Sequence, residues 1–159
     1  MKHLPKHLQP RWRYLAVDIE SWPDVEMGRD EFQRRLWYSA QNLLGDAGSA
    51  DLDLSVIRFE FGGGDGSAIV RTRRGEVSRA RAVIAAVDAV HDHAVGLRVT
   101  GVSGTIRACE EKYMGRGRED PEQRHVAFEG ADQRATVRGS RVDVPVEEAF
   151  TGATILDCE

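Results

Sequence analysis

The chain has 159 residues, a formal net charge of −4 and 30% charged residues, a length that predicts one domain with a real core. No run of about 18 apolar residues occurs, which excludes a membrane-spanning helix. The two cysteines, Cys109 and Cys158, form no CxxC pair, and the N-terminus lacks an apolar leader, so neither a disulfide framework nor a zinc site is expected and the cytoplasm is the expected compartment.

The charge is unevenly placed. Through Arg118 there are 18 Lys and Arg against 16 Asp and Glu, and from Glu119 onward 4 against 10. The cations comprise 19 Arg and only 3 Lys, which fits a salt-tolerant source. This balance does not suit a protein that coats nucleic acid by bulk charge, but it allows local bidentate contacts from guanidinium groups.

Trp12 to Glu20 alternates Leu15, Val17 and Ile19 with Tyr14, Ala16 and Asp18, the pattern of a half-buried strand. Ser21-Trp22-Pro23 breaks it. Asp30 with Gln33 predicts a capped helix carrying Phe32, Leu36, Ala40, Leu43, Leu44 and Ala47 and ending at Gly48. Leu52 to Phe61 reads as a second strand whose apolar parity switches midway, predicting a bulge or burial on both faces. Gly62 to Gly66 predicts a hairpin turn into a third strand, Ser67 to Arg73.

A second amphipathic helix is expected from about Glu76 to Ala94, and a fourth strand from Leu97. The order β-α-β-β-α-β is the ferredoxin-like plan of α+β proteins, with two helices on one face of a four-stranded antiparallel sheet. The expected organisation is an arm over 1–11, this domain over 12–114 and an acidic extension over 115–159. In the extension, His125 to Phe128 and Arg134 to Val144 alternate, the latter folding at Gly139-Ser140. Phe150, Ile155 and Leu156 could dock the tail, or it orders only on a partner.

Several patterns hint at chemistry without carrying it. Gly101-Val102-Ser103-Gly104-Thr105 lacks the second spacing glycine of a nucleophile elbow. The glycines before Asp65 lack the Lys-Ser/Thr and helix of a phosphate loop. His91 and His93, at the expected helix end, would point about 200° apart. Asp18 and Glu20 share a strand face, and no third group reinforces them as an acid–base pair.

Two features remain. Arg71, Arg73, Arg74, Arg79 and Arg81 lie within eleven residues against the single acid Glu76, a pattern of either a solvated rim or a phosphate-contact patch. Gly101 and Gly104 flank Ser103 in a β-branched run that continues to Arg107, which predicts backbone set close against something anionic or tightly packed at Gly101, Ser103 and Gly104.

With these residues the chain resembles the archaeal ribonuclease P protein component 2 family, among the small subunits of ribonuclease P and MRP. The resemblance lies in Arg13-Tyr14-Leu15, Arg71, Val77 and Ala80, and above all in Val99 to Arg107 followed by Lys112-Tyr113. It implies a halophilic archaeal source and a non-catalytic subunit of the ribonucleoprotein that removes the 5′ leader of precursor tRNA. On that resemblance the ribonuclease P RNA is the catalyst and uses Mg²⁺, and the protein binds no cofactor itself. Component 3 and other ribonuclease P proteins are the expected partners.

Arg71, Arg73, Arg79, Arg81, Arg107 and Lys112 are the candidate RNA contacts. The third strand offers no aromatic for base stacking, so backbone contact or a protein interface is expected there. Two other readings stay open. One is a ferredoxin-like regulatory domain binding a small metabolite at Gly62 to Gly66. The other is a scaffolding subunit docking a partner through Trp37 and Tyr38.

Overall fold

The computed structural model describes residues 4–114, 122–138, 141–146, 149–154 and 158. Strands β1 (Trp12–Glu20), β2 (Ser55–Gly62), β3 (Asp65–Arg73) and β6 (Gly96–Ser103) form an antiparallel sheet in the order β2-β3-β1-β6. Helices α1 (Arg29–Leu52) and α2 (Val77–Ala85) connect them in the ferredoxin-like manner. Leu15, Val17 and Ile19 of β1, Val70 of β3 and Val56 of β2 pack with Phe32, Leu36, Val83 and Ile84 of the helices in the main core.

Local chemistry moves several boundaries. Helix α1 starts after Gly28, not Asp30, because the Glu31 carboxylate accepts from the Gly28 N–H at 3.1 Å. Asp30 and Glu31 then sit in the first turn, where the helix dipole favours acids. The helix is interrupted at Gly45, whose φ of 74° a side chain would resist, and resumes past Gly48 to Leu52. Leu52 therefore closes the helix instead of opening β2. The parity switch in β2 is a bulge between Val56 and Arg58 that turns Ile57 to the opposite face.

The second helix ends at Ala85, nine residues before the expected end. Val87 and Val90 stay buried, but a small hairpin of β4 (Ala89–Val90) and β5 (His93–Ala94) carries the chain onward. His91 and Asp92 form its turn at φ 47° and 63°, a conformation Asp and His tolerate better than most residues. Arg35 secures it by donating to the Ala89 carbonyl at 2.9 Å. His91 thus lies in a turn and His93 directly after it, not at a helix end.

The opposite face of the sheet is also covered. Thr105 ends the fourth strand by accepting the Ala108 N–H at 3.1 Å, capping α3 (Ile106–Cys109), which continues as a π-helical turn at Glu110–Met114. Ile106, Cys109, Tyr113 and Met114 form a second small core with Tyr14, Ala16, Ile57 and Ile69. Arg107 is accordingly helical and not on a strand. A Cβ on Gly101 would lie 2.0 Å from Tyr113 Cζ. The group that the glycine admits is a tyrosine ring of its own chain. Gly104 is exposed, and a Cβ there would meet Arg13 at an ordinary 3.7 Å, so the expected close approach does not hold at that position.

The extension forms a second antiparallel sheet, β7 (Glu122–Phe128), β8 (Ala131–Arg138), β9 (Arg141–Val146) and β10 (Ala149–Thr154), paired in chain order. Val126, Ala135, Val137, Val142 and Val144 share its apolar face, against which Cys158 packs. The expected fold at Gly139-Ser140 and the docking residues Ile155 and Leu156 lie outside the described residues, as does the side chain of Phe150.

The polar face meets the first sheet. Arg138, 3% exposed, donates to the carbonyls of Ser21 and of Gly64, the latter at 2.9 Å, and pairs with Asp143. Glu20 receives Arg141 and lies 4.0 Å from Arg138. Burial pushes the Asp143 carboxyl above its ordinary range, against the smaller opposing pull of Arg138.

Two outcomes follow. Gly101→Ala is expected to lower stability by about 1–3 kcal/mol through overpacking, and by much less in a Tyr113→Ala background. An equal loss in both backgrounds, read by chemical denaturation, would show that the ring is not the constraint. Arg138→Leu removes one partner of a buried ionic network, at a cost of roughly 3 kcal/mol. Hydrogen exchange should rise in β7 to β9 while β1 and β3 stay protected; uniform protection in the variant would contradict the docking role.

Candidate nucleic-acid interface

The alternation of β1 and β3 puts Trp12, Tyr14, Arg71 and Arg73 on the face away from α1 and α2, with Trp12 opposite Arg73 and Tyr14 opposite Arg71. The Arg71 guanidinium lies 3.9 Å from the centre of the Trp12 ring, and that of Arg73 5.3 Å. Such stacking holds a planar cation in a fixed orientation and is worth roughly 0.5–1 kcal/mol at exposed sites. Arg71 Nε is buried without a hydrogen-bond partner among the described residues. Arg73 is half-exposed and reaches Asp53 at 3.4 Å.

The other candidates are distributed differently. Arg107 is 87% exposed on α3 and pairs with Glu111 four residues on, at 2.8 Å. Lys112 is exposed on the π-helical turn, its Nζ 5.5 Å from the centre of the Tyr113 ring. Both belong to the segment that covers the same sheet face as Arg71. Arg79 and Arg81 belong instead to the helix layer. Arg79 is engaged by Glu76 at 3.0 Å and Asp51 at 3.7 Å, while Arg81 is exposed.

The structure thus joins Arg71 with Arg73 and separates them from the α2 arginines. Ser103 is half-buried opposite Tyr14. Trp12 is the member that motif reading missed, although the β1 alternation already set it on the face of Tyr14.

The remaining motifs are absorbed by the fold. Asp18 pairs with Arg98 at 3.0 Å, and Glu20 with Arg141. The Gly62 to Gly66 turn packs against its own chain: the Gly64 carbonyl accepts the Ser21 N–H at 2.8 Å and the Arg138 guanidinium, and a Cβ on Gly64 would lie 2.7 Å from the Ser21 oxygen. That removes the turn as a metabolite cradle. Among the described residues no cluster of three His, Cys, Asp or Glu could hold a metal ion.

A ribonuclease P protein component 2 from the halophilic archaeon Halorubrum lacusprofundi is 60% identical over 100% of both chains. One of the same name from Methanosarcina mazei is 33% identical over 114 residues, covering 72% of this chain and 93% of its own length. A chain in the cryo-EM structure of yeast ribonuclease MRP superposes with a TM-score of 0.48 at 11% identity, over 63% of this chain and 79% of that one. Residues 13–114, the first sheet with its three helices, match the Rpp14/Pop5 family model, and the chain belongs to the Rpp14/Pop5 family.

Proposed function

We propose that this chain is a non-catalytic protein subunit of ribonuclease P, the ribonucleoprotein that removes the 5′ leader from precursor tRNA. The 60% identity over the full length to a ribonuclease P protein component 2 carries this reading. In it, hydrolysis and the Mg²⁺ that serves it belong to the RNA, and the protein holds the RNA in its competent shape, in the cytoplasm.

The stacked pair Arg71 and Arg73 beside Trp12 supplies the main phosphate contact, with Arg107 and Lys112 as outlying cations on the same side. Phosphate contacts of this kind position RNA without reading its sequence. They act at contact distance, which matters because the Debye length shrinks to roughly 3 Å in molar salt.

A second surface suits a protein. On α1, Trp37 (47% exposed), Tyr38 (60%) and Leu43 (50%) are exposed large side chains. Exposed aromatic side chains are enriched at protein interfaces. This is where pairing with component 3 is placed in the proposal.

Reconstitution tests the whole reading. Adding the chain to ribonuclease P RNA and the other protein subunits should raise precursor-tRNA cleavage, while the chain alone should cleave nothing. Cleavage that is indifferent to the chain would remove the assignment. Within that assay, Arg71→Ala and Arg73→Ala should each weaken RNA binding and reduce its salt slope by about one. Arg79→Ala, already engaged by two acids, should stay near the parent. Equal losses at Arg79 and Arg71 would shift the interface to the helix layer.

A further inference from the structure

Where the second sheet docks on the first, a cleft of about 220 Å³ opens between the segment following β1 and the polar face of β7, β8 and β9. Trp22 and Asp24 form one wall, and Gln123, Arg134, Thr136 and Pro145 the other. Thr136 is 1% exposed, and its hydroxyl is buried with no hydrogen-bond partner among the described residues. A buried polar group without a partner is rare and calls for a physical reason. Arg134 is exposed and is oriented by donating to the Gln123 side chain.

We infer that this cleft receives an unpaired nucleobase of an RNA strand. The inference rests on the ribonuclease P reading for the presence of RNA. The walls offer an indole for stacking, a guanidinium plane, and a carboxylate, an amide and a hydroxyl able to meet the polar edge of a base. Single-stranded RNA is recognised by this combination of aromatic or guanidinium stacking and edge hydrogen bonds. The volume suits one base and excludes a duplex.

Stacking is also the contact least weakened by salt, since it does not depend on net charge as phosphate contacts do. Neither wall forms the cleft alone. It needs the family core, which supplies Trp22, and the docked extension, which supplies Thr136 and Arg134.

The test uses the full chain with a labelled short single-stranded oligoadenylate, in molar KCl, with AMP as the competing arm. Trp22→Ala should weaken binding roughly ten-fold. Thr136→Val, which keeps the shape and removes the hydroxyl, should weaken it roughly three- to ten-fold while leaving thermal unfolding in place. Arg71→Ala should change it little at that salt.

Equal affinity of parent, Trp22→Ala and Thr136→Val overturns the inference, as does AMP binding as tightly as the oligonucleotide, which would make the cleft a mononucleotide site. Activation of precursor-tRNA cleavage by a chain that binds no oligoadenylate overturns the cleft alone. Oligoadenylate binding lost in both cleft variants, in a chain that does not activate cleavage, supports the cleft and overturns the ribonuclease P reading alone.

Discussion

The packing of Tyr113 on Gly101 governs what this sheet can do. A four-stranded sheet with helices on one face leaves the other face free, and single-stranded RNA commonly lies on such a face with its bases on aromatics. Here Ile106, Cys109, Tyr113 and Met114 fill it, and the absent side chain at Gly101 lets the ring sit against the backbone. Arg58 of β2 pins the covering turn through Glu110 at 2.8 Å. With both faces occupied, the exposed ends of β1 and β3 and the outer surface of the covering turn remain for a partner.

That geometry sorts the arginines. Most of those described are matched by an acid: Arg79 by Glu76 and Asp51, Arg98 by Asp18, Arg107 by Glu111. Exposed pairs of this kind contribute little to stability, with values of about 0–1 kcal/mol. Arg71 differs in being held by the Trp12 ring instead of a carboxylate. Among the described residues no acid pairs with it. The arginines within residues 71 to 81 therefore form no single patch, because strand and helix carry them to different layers.

What the sequence could show follows from how each element declares itself. Strand β1 is legible because Leu15, Val17 and Ile19 repeat on one face, and the parity switch in β2, which allows a bulge or burial on both faces, is a bulge. Helix α2 was overextended because Val87 and Val90 continue a helical spacing, while the left-handed turn at His91 and Asp92 leaves no periodic trace. A four-residue helix such as α3 is too short for any period, so the group facing Gly101 stayed unnamed although Tyr113 stood nearby in the sequence. The Arg71 and Arg73 pairing on one strand face was legible; their Trp12 platform required the register of β1 against β3.

The extension shows a different limit. Alternation in β8 and β9 tells which side of a sheet is apolar, and the usual expectation is that this side docks. Here the polar side docks, because Arg138 finds the Ser21 and Gly64 carbonyls and Asp143 together. A buried guanidinium with several acceptors is screened by salt far less than surface pairs are. The Methanosarcina mazei relative aligns over 93% of its own length yet reaches only 72% of this chain. The family model ends at residue 114, so Arg138 lies outside the family match. Arg138 fixes how the added sheet sits, and so which side chains of β8 face Trp22. The shape of the cleft is set by a buried ionic contact between the two sheets.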